Sequence, residues 1–68
     1  MVNTQLLDKK IKDSGLYIKH IIETIGISRN GFDKKRKGKT PFRKSEIFVL
    51  SHLLKLSEEE ESAIFHAD

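Results

Sequence analysis

The chain has 68 residues, a net charge of +3 and no cysteine, and 37% of its residues are hydrophobic. A chain of this length is expected to form one domain, residues 1–68, that buries about 60% of its unfolded surface. Disulfides and thiolate metal sites are excluded, so apolar packing must supply the stability. The polar start shows no secretory signal, and no apolar run approaches the ~20 residues that cross a membrane.

Charged residues are segregated along the sequence. Residues 29–44 contain eight lysines and arginines and one aspartate, whereas residues 57–68 contain five acids and no lysine or arginine. Such a dipolar molecule is expected to approach a polyanion with its middle segment and not with its C-terminal end. The run of four glutamates at residues 58–61 could mimic phosphate or bind a basic partner, but such runs more often cap a helix.

Two helices are predicted in the first 25 residues. The first spans residues 4–14, where Asn3 or Thr4 can cap its start and Gly15 ends it. The second spans residues 17–25, where four isoleucines follow the i, i+3, i+4, i+7 spacing of an amphipathic helix. Because branched residues are poor helix formers, burial must stabilise this second helix.

A glycine turn then leads into a third, strongly basic helix. Gly26 favours the left-handed backbone that ends a helix, and Ile27 is expected to fill the core between the two helices. Ser28 is a good N-cap for a helix over residues 29–37, which Gly38 ends. A tight helix pair whose second member is basic is typical of a helix-turn-helix that enters the DNA major groove.

Two more helices follow a loop in which Pro41 prevents helix continuation. The fourth spans residues 44–54, and its core stripe consists of Ile47, Leu50 and Leu54. The fifth opens on Ser57 and three glutamates, which form a capping box, and it contributes Ile64 and Phe65. No strand-like alternation of any length occurs, so the predicted fold class is all-α.

Helix four has a second face beside its core stripe, made of Ser45, Phe48, Val49, His52 and Leu56. An uncovered surface that contains Phe, Val and Leu favours association. Two alternatives remain open from the sequence. Either helix five covers this face within the chain, or the face is the seam of a homodimer, with Phe48, Val49, His52 and Leu56 as its contact residues.

Several of these features occur together in one known family. They are Ile25-Gly26-Ile27-Ser28-Arg29 and Gly38-Lys39, followed by Phe42, Glu46-Ile47, Leu50-Ser51 and residues 53–57. In this order, over residues 4–66, they resemble the Cro/cI-type phage repressor family of helix-turn-helix proteins. The chain looks most like the short, single-domain regulators of phages and prophages of low-GC Gram-positive bacteria.

This resemblance implies a compact five-helix, lambda-repressor-like DNA-binding domain in which helix three lies in the major groove. The base-reading residues that it implies are Arg29, Asn30, Asp33 and Lys34. At about 100° per residue these share one face of helix three with Lys37, opposite Phe32. The implied contacts to the DNA sugar-phosphate backbone come from Ser28, Lys37, Lys39, Thr40, Arg43 and Lys44.

Four features depart from the family pattern. Ile18 stands where a glutamine usually touches phosphate, and Gly31 inside helix three costs roughly 1 kcal/mol relative to alanine. Lys35 or Arg36 occupies a position that usually holds an aliphatic core residue. One of them is therefore expected to lay its stem across the core and extend its charge outward. Arg43 replaces the small residue that usually caps helix four.

The sequence thus predicts a sequence-specific transcriptional regulator, a Cro-like repressor. It would bind double-stranded operator DNA as a homodimer, in the cytoplasm of a bacterial host and at its nucleoid. The rival hypothesis is a protein-interaction module, such as an antirepressor or an antitoxin-type partner, that uses helix four and the acidic C-terminus. RNA binding is less favoured, because no aromatic platform for stacked bases is evident.

No cofactor, metal site, membrane contact or enzymatic activity is expected. The three histidines, His20, His52 and His66, are on different helices and none has a second histidine at i+3 or i+4 spacing. No Ser-His-Asp or Cys-His set is arranged on a supporting scaffold, and no glycine-rich phosphate loop follows a strand. A domain of this size also leaves little room for a substrate pocket.

Overall fold

Five α-helices joined by short turns make up the architecture. The computed structural model describes residues 2–66, and this range contains no strand. The helices are α1 Thr4–Ser14, α2 Ile18–Ile25, α3 Arg29–Arg36, α4 Lys44–Leu53 and α5 Glu58–Phe65. The all-α prediction is confirmed, and the starts and ends predicted for the first four helices agree within one residue. The differences arise because Tyr17, Lys37 and Leu54 are capping residues that flank α2, α3 and α4.

Helix ends are set by the residues that the sequence singled out. The Asn3 side chain accepts a hydrogen bond of 3.1 Å from the Leu6 backbone N–H at the start of α1. Gly26 adopts φ 86° at the end of α2, a left-handed conformation that glycine accepts at the least cost. The turn between α2 and α3 therefore needs only residues 26–28, which holds the two helices close together.

One apolar core joins all five helices. Each helix contributes one completely buried side chain: Leu7, Ile21, Phe32, Leu50 and Ile64. Phe42, in the loop between α3 and α4, meets the rings of Phe32 and Phe65 edge-to-face, with centroid distances of 6.3 and 5.4 Å. The loop that follows α3 is thus anchored to the core at Phe42, and its preceding residues remain at the surface.

Helix α5 packs against α1 and leaves part of the second face of α4 uncovered. The Asn3 backbone N–H donates to the Ile64 carbonyl at 2.7 Å, and Lys10 on α1 forms an ion pair with Glu60. Phe48 on α4 remains 71% exposed. The alternative in which helix five covers this face is therefore wrong at Phe48, because Ile64 turns the apolar side of α5 into the core.

The helices form a compact body with extents of 26 × 24 × 20 Å. Its radius of gyration, 10.6 Å, is close to the ~11 Å expected for a folded chain of this length. None of the helices described is both long and apolar enough to cross a membrane. Over residues 2–66 no three His, Asp or Glu side chains are grouped so that they could hold a metal ion.

Candidate nucleic-acid interface

Helix α3 has one buried side and one polar side. Ser28 begins the helix, and its Oγ accepts a hydrogen bond of 3.0 Å from the Gly31 backbone N–H. Phe32 is completely buried and attaches α3 to the core. On the other side, Arg29, Asn30 and Lys34 are exposed and Asp33 is half-buried. The structure therefore brings the four predicted base-reading residues to the polar side of α3.

Gly31 has a structural role that the sequence did not reveal. A Cβ atom at this position would lie 3.2 Å from the Ser28 Oγ, which is tighter than ordinary van der Waals contact. The missing side chain thus leaves room for the hydroxyl group that caps α3. Glycine at this position weakens the helix by propensity, and the absence of a Cβ spares the Ser28 hydroxyl a small shift.

Two basic residues of α3 are used inside the molecule. The Lys35 Nζ lies 2.6 Å from both carboxylate oxygens of Glu46, and these side chains are only 13% and 9% exposed. Arg36 pairs with Asp8 at 3.1 Å and with Asp33 at 3.4 Å. The prediction that one of these two charges extends outward is therefore wrong for Lys35, whereas the Arg36 guanidinium, 29% exposed, reaches Asp8 at the surface. Both charges are paired with carboxylates of other helices, Glu46 on α4 and Asp8 on α1.

Glu46 connects α3 to the start of α4. Its Oε1 also accepts a hydrogen bond of 2.8 Å from the Arg43 backbone N–H, which caps α4 although the Arg43 side chain itself offers no acceptor. Burial raises the pKa of Glu46, but the Arg43 N–H and the Lys35 ammonium together outweigh it and hold that pKa below its ordinary value. Glu46 is thus ionised at neutral pH and fixes the spacing between the two helices.

The other basic side chains of this region lie at the surface without an acidic partner. Within residues 2–66, no carboxylate forms an ion pair with any of them. These exposed cations are Lys34, Lys37, Lys39, Arg43 and Lys44. Thr40 is exposed among them, so every predicted phosphate contact from residue 37 onward is accessible. Unpaired surface cations are the groups that can exchange bound counterions for the phosphates of a nucleic acid.

A further group of polar side chains lies beside Arg29. Tyr17 is 83% exposed at the start of α2, and with Lys19, His20 and Arg29 it lines a shallow depression. Glu23 is the acid in the same depression. Tyr17 is not among the site residues that the sequence indicates, because an N-cap position takes no part in the periodic pattern of a helix. Its phenol and the Lys19 ammonium are hydrogen-bond donors at the edge of the α3 surface.

The predicted dimer seam on α4 is partly exposed and uncharged. The Phe48 ring stacks on His52, with centroids 6.1 Å apart and planes 24° apart. With Val49, these two side chains line a shallow apolar depression that also includes Leu53 and, from α2, Thr24. Leu56, the fourth predicted seam residue, is half-buried and packs against the core. Thr24 and Leu53 line this depression in addition to the residues that the sequence indicated.

Comparison of the chain with protein-family models, with curated proteins and with solved structures found no significant match. What this chain does must therefore be inferred from its own residues and their geometry. Two separate groups of surface residues are relevant to the function of the chain. The first group is residues 28–44, which contain the exposed side of α3 and the basic loop that follows it. The second group is the largely apolar face around Phe48.

Proposed function

We propose that the chain is a sequence-specific DNA-binding transcriptional regulator, a Cro-like repressor in which α2, the turn and α3 form a helix-turn-helix. One observation carries the proposal. The polar side of α3 continues directly into a segment whose basic side chains have no acidic partner among the described residues. The B-DNA major groove, about 12 Å wide, admits an α-helix that presents such a side to the bases.

The polar side of α3 supplies side chains that distinguish base pairs. Arg29 can donate two hydrogen bonds to guanine O6 and N7, and Asn30 can pair with adenine N6 and N7. Each such two-bond contact gives about 1–3 kcal/mol of discrimination against the wrong base. Lys34 can donate to guanine or to a phosphate. These three residues are exposed, so no part of the fold must open before they reach DNA.

Residues 37–44 supply contacts that position the protein without choosing a sequence. Lys37, Lys39, Arg43 and Lys44 are suited to phosphate, and the Thr40 hydroxyl can donate to a phosphate oxygen. Ser28 can do the same, because its oxygen caps α3 as an acceptor while its proton remains available. Each phosphate neutralised changes the slope of log K against log salt by about −0.9, so binding weakens steeply with salt.

We further propose that the chain binds its operator as a homodimer. A two-fold axis would place two copies of α3 in successive major grooves about 34 Å apart, and occupancy of the operator would block a promoter. The face around Phe48 suits this contact because no lysine, arginine, aspartate or glutamate lines it. Two copies of a positively charged chain can therefore approach there without placing like charges at the axis.

Substitutions that remove a phosphate contact and a base contact should have different effects. Lys39→Ala is expected to weaken binding to operator and random DNA alike and to reduce the salt slope by about 1. Asn30→Ala is expected to relax the preference at one base pair by about 1–3 kcal/mol and leave the slope unchanged. Fluorescence anisotropy at several salt concentrations measures both quantities.

The matched control for Lys39→Ala is Lys9→Ala, which removes an exposed lysine from α1, outside residues 28–44. This control should leave the salt slope within experimental error of the wild-type value. Equal losses on operator and random DNA for both Lys39→Ala and Asn30→Ala would contradict the division between positioning and reading.

The seam can be tested by Phe48→Ser. This change removes an exposed apolar ring, so we expect the folded state to persist and the dimer to weaken. Sedimentation on operator DNA should report a lower mass, and operator affinity should fall by about tenfold or more. Gln5→Ser, at an exposed residue of α1 outside this face and outside residues 28–44, should leave the mass unchanged. An unchanged mass and affinity for Phe48→Ser would remove Phe48 from the seam.

The proposal itself is tested by anisotropy with the DNA that flanks the coding region of this chain, with a shuffled duplex as control, at two salt concentrations. Tight, salt-sensitive binding that favours the flanking DNA supports an operator-binding repressor. The second candidate is a protein-interaction module, which the exposed Phe48 favours. A heteronuclear NMR titration separates the two: DNA should shift the amide signals of residues 28–44, whereas a protein-binding module need not respond to DNA.

A further inference from the structure

Asp33 connects the polar side of α3 to α1 through a chain of alternating charges. Its Oδ2 lies 3.8 Å from the Arg29 Nε, and its Oδ1 lies 3.4 Å from the Arg36 Nη2. Arg36 in turn donates from Nη1 to the Asp8 Oδ1 on α1 at 3.1 Å. Each oxygen of Asp33 therefore faces a different arginine, and the second of these arginines is held by another helix.

Stability of α3 does not explain the Arg29–Asp33 pair. The Arg29 side chain is 65% exposed, and exposed i,i+4 ion pairs contribute little. The order of the charges is also the unfavourable one, since the arginine stands in the first turn and the acid follows it. A pair that adds little to the helix, and yet joins an exposed arginine to a braced carboxylate, fits a role in orienting that arginine.

The contacting atom of Arg29 is consistent with such a role. Asp33 lies near the Nε, so the two terminal nitrogens of the guanidinium have no acidic partner among the described residues. Those nitrogens carry four of the five N–H donors of arginine, and two of them can bond guanine O6 and N7 together. A carboxylate 3.8 Å from Nε attracts that edge of the guanidinium without a hydrogen bond, and it leaves unoccupied the donors that a base would need.

We propose that Asp33 is a positioning residue that orients the Arg29 guanidinium for guanine, so that the operator contains a G·C pair at this place. The inference rests on the proposed function and makes its base preference specific. It also replaces the expectation that Asp33 reads a base itself. The Asp33 side chain is only 32% exposed and each of its oxygens already faces an arginine, so it is less accessible to a cytosine amino group than Arg29, at 65% exposed, is to guanine.

The test uses Asp33→Asn, with Asp13→Asn as the matched control, an exposed acid on α1 with no ion pair within residues 2–66. An operator duplex is first selected from random sequences with wild-type protein, and Arg29→Ala identifies the base pair that Arg29 reads. Asp33→Asn is expected to lower the preference for guanine at that pair by about fivefold or more. Its affinity for shuffled DNA should stay equal or rise, because a negative charge is removed.

Four results would overturn the inference, and the last of them would overturn the proposed function too. Loss of preference at a different base pair makes Asp33 a direct reader, and a uniform rise in affinity matched by Asp13→Asn makes it only a repulsive charge. An additive further loss in Arg29→Ala/Asp33→Asn at the Arg29 base pair shows that Asp33 acts independently of Arg29. Wild-type protein that selects no sequence at all overturns the proposed function as well. A thermal melt of each variant confirms that the fold is intact.

Discussion

Phe32→Ala is expected to destabilise the domain by about 4 kcal/mol and to abolish DNA binding. Phe32 is completely buried, is the α3 residue in the core, and contacts the Phe42 ring edge-to-face. The substitution loses the free energy gained by moving the Phe32 ring from water into the core, and it leaves a cavity where α3 meets the core. A domain of 68 residues has only about 3–10 kcal/mol of stability, so this loss removes from about two fifths to all of it. Urea denaturation followed by circular dichroism measures the effect.

Phe48→Ala is the matched control, because it makes the same chemical change at a residue that is 71% exposed. Its effect on the unfolding free energy of the monomer should lie within about 0.5 kcal/mol of zero. Similar losses for the two variants would contradict the placement of Phe32 in the core and Phe48 on the surface.

Glu46→Ala is expected to lower the unfolding free energy by about 3 kcal/mol. The change leaves the Lys35 ammonium nearly buried without its carboxylate, and it removes the acceptor of the Arg43 backbone N–H at the start of α4. Lys35→Met/Glu46→Gln should recover most of this loss, because no charge is left uncompensated and the Gln oxygen can still accept from Arg43. A double variant no more stable than Glu46→Ala would show that the ion pair is not the cause.

The dependence of stability on acid gives a second readout for Glu46. Because the folded-state pKa of Glu46 is lowered, its stabilising contribution is complete above its ordinary pKa and is lost as the pH falls through the folded value. Glu46→Gln should therefore flatten the acid limb of the stability curve. Some acid dependence should remain in this variant. The hydrogen bond from Lys10 lowers the pKa of Glu60 as well, so the stabilising contribution of Glu60 is also lost as the pH falls.

Local features of the sequence predicted most of the helical architecture. As the sequence predicted, Gly26 ends α2 with a left-handed backbone conformation, and the hydroxyls of Ser28 and Ser57 cap the starts of α3 and α5. Helix α4 is the exception in its ending: Lys55, and not a glycine, adopts the left-handed conformation there, with φ 55°. The sequence predicted the end of α4 to within one residue because the core stripe stops at Leu54. A lysine does not indicate a left-handed cap, so the role of Lys55 was not predicted.

Contacts between distant residues were beyond the reach of sequence patterns. Lys35 and Glu46 are separated by 11 positions and Arg36 and Asp8 by 28, so their pairing depends on how α3 packs against its neighbours. These pairs decide which cations are available to a ligand. A count of charges in the sequence gives every cation of the basic segment the same weight. In the structure some of them, such as Lys35, are paired inside the molecule, and others, such as Lys39, lie at the surface. Exposure of Phe48 likewise depends on the direction in which α5 leaves α4.

Selection of bound duplexes from a random-sequence library, followed by sequencing, tests the central claim that α3 reads DNA. The proposal predicts enrichment of a two-fold symmetric pair of half-sites whose centres lie about one helical turn apart, with a guanine in each half-site. Wild-type protein should retain these duplexes better than a variant with Arg29→Ala and Asn30→Ala. A pool that shows no enriched sequence after repeated rounds, or the same enrichment with that double variant, would contradict it.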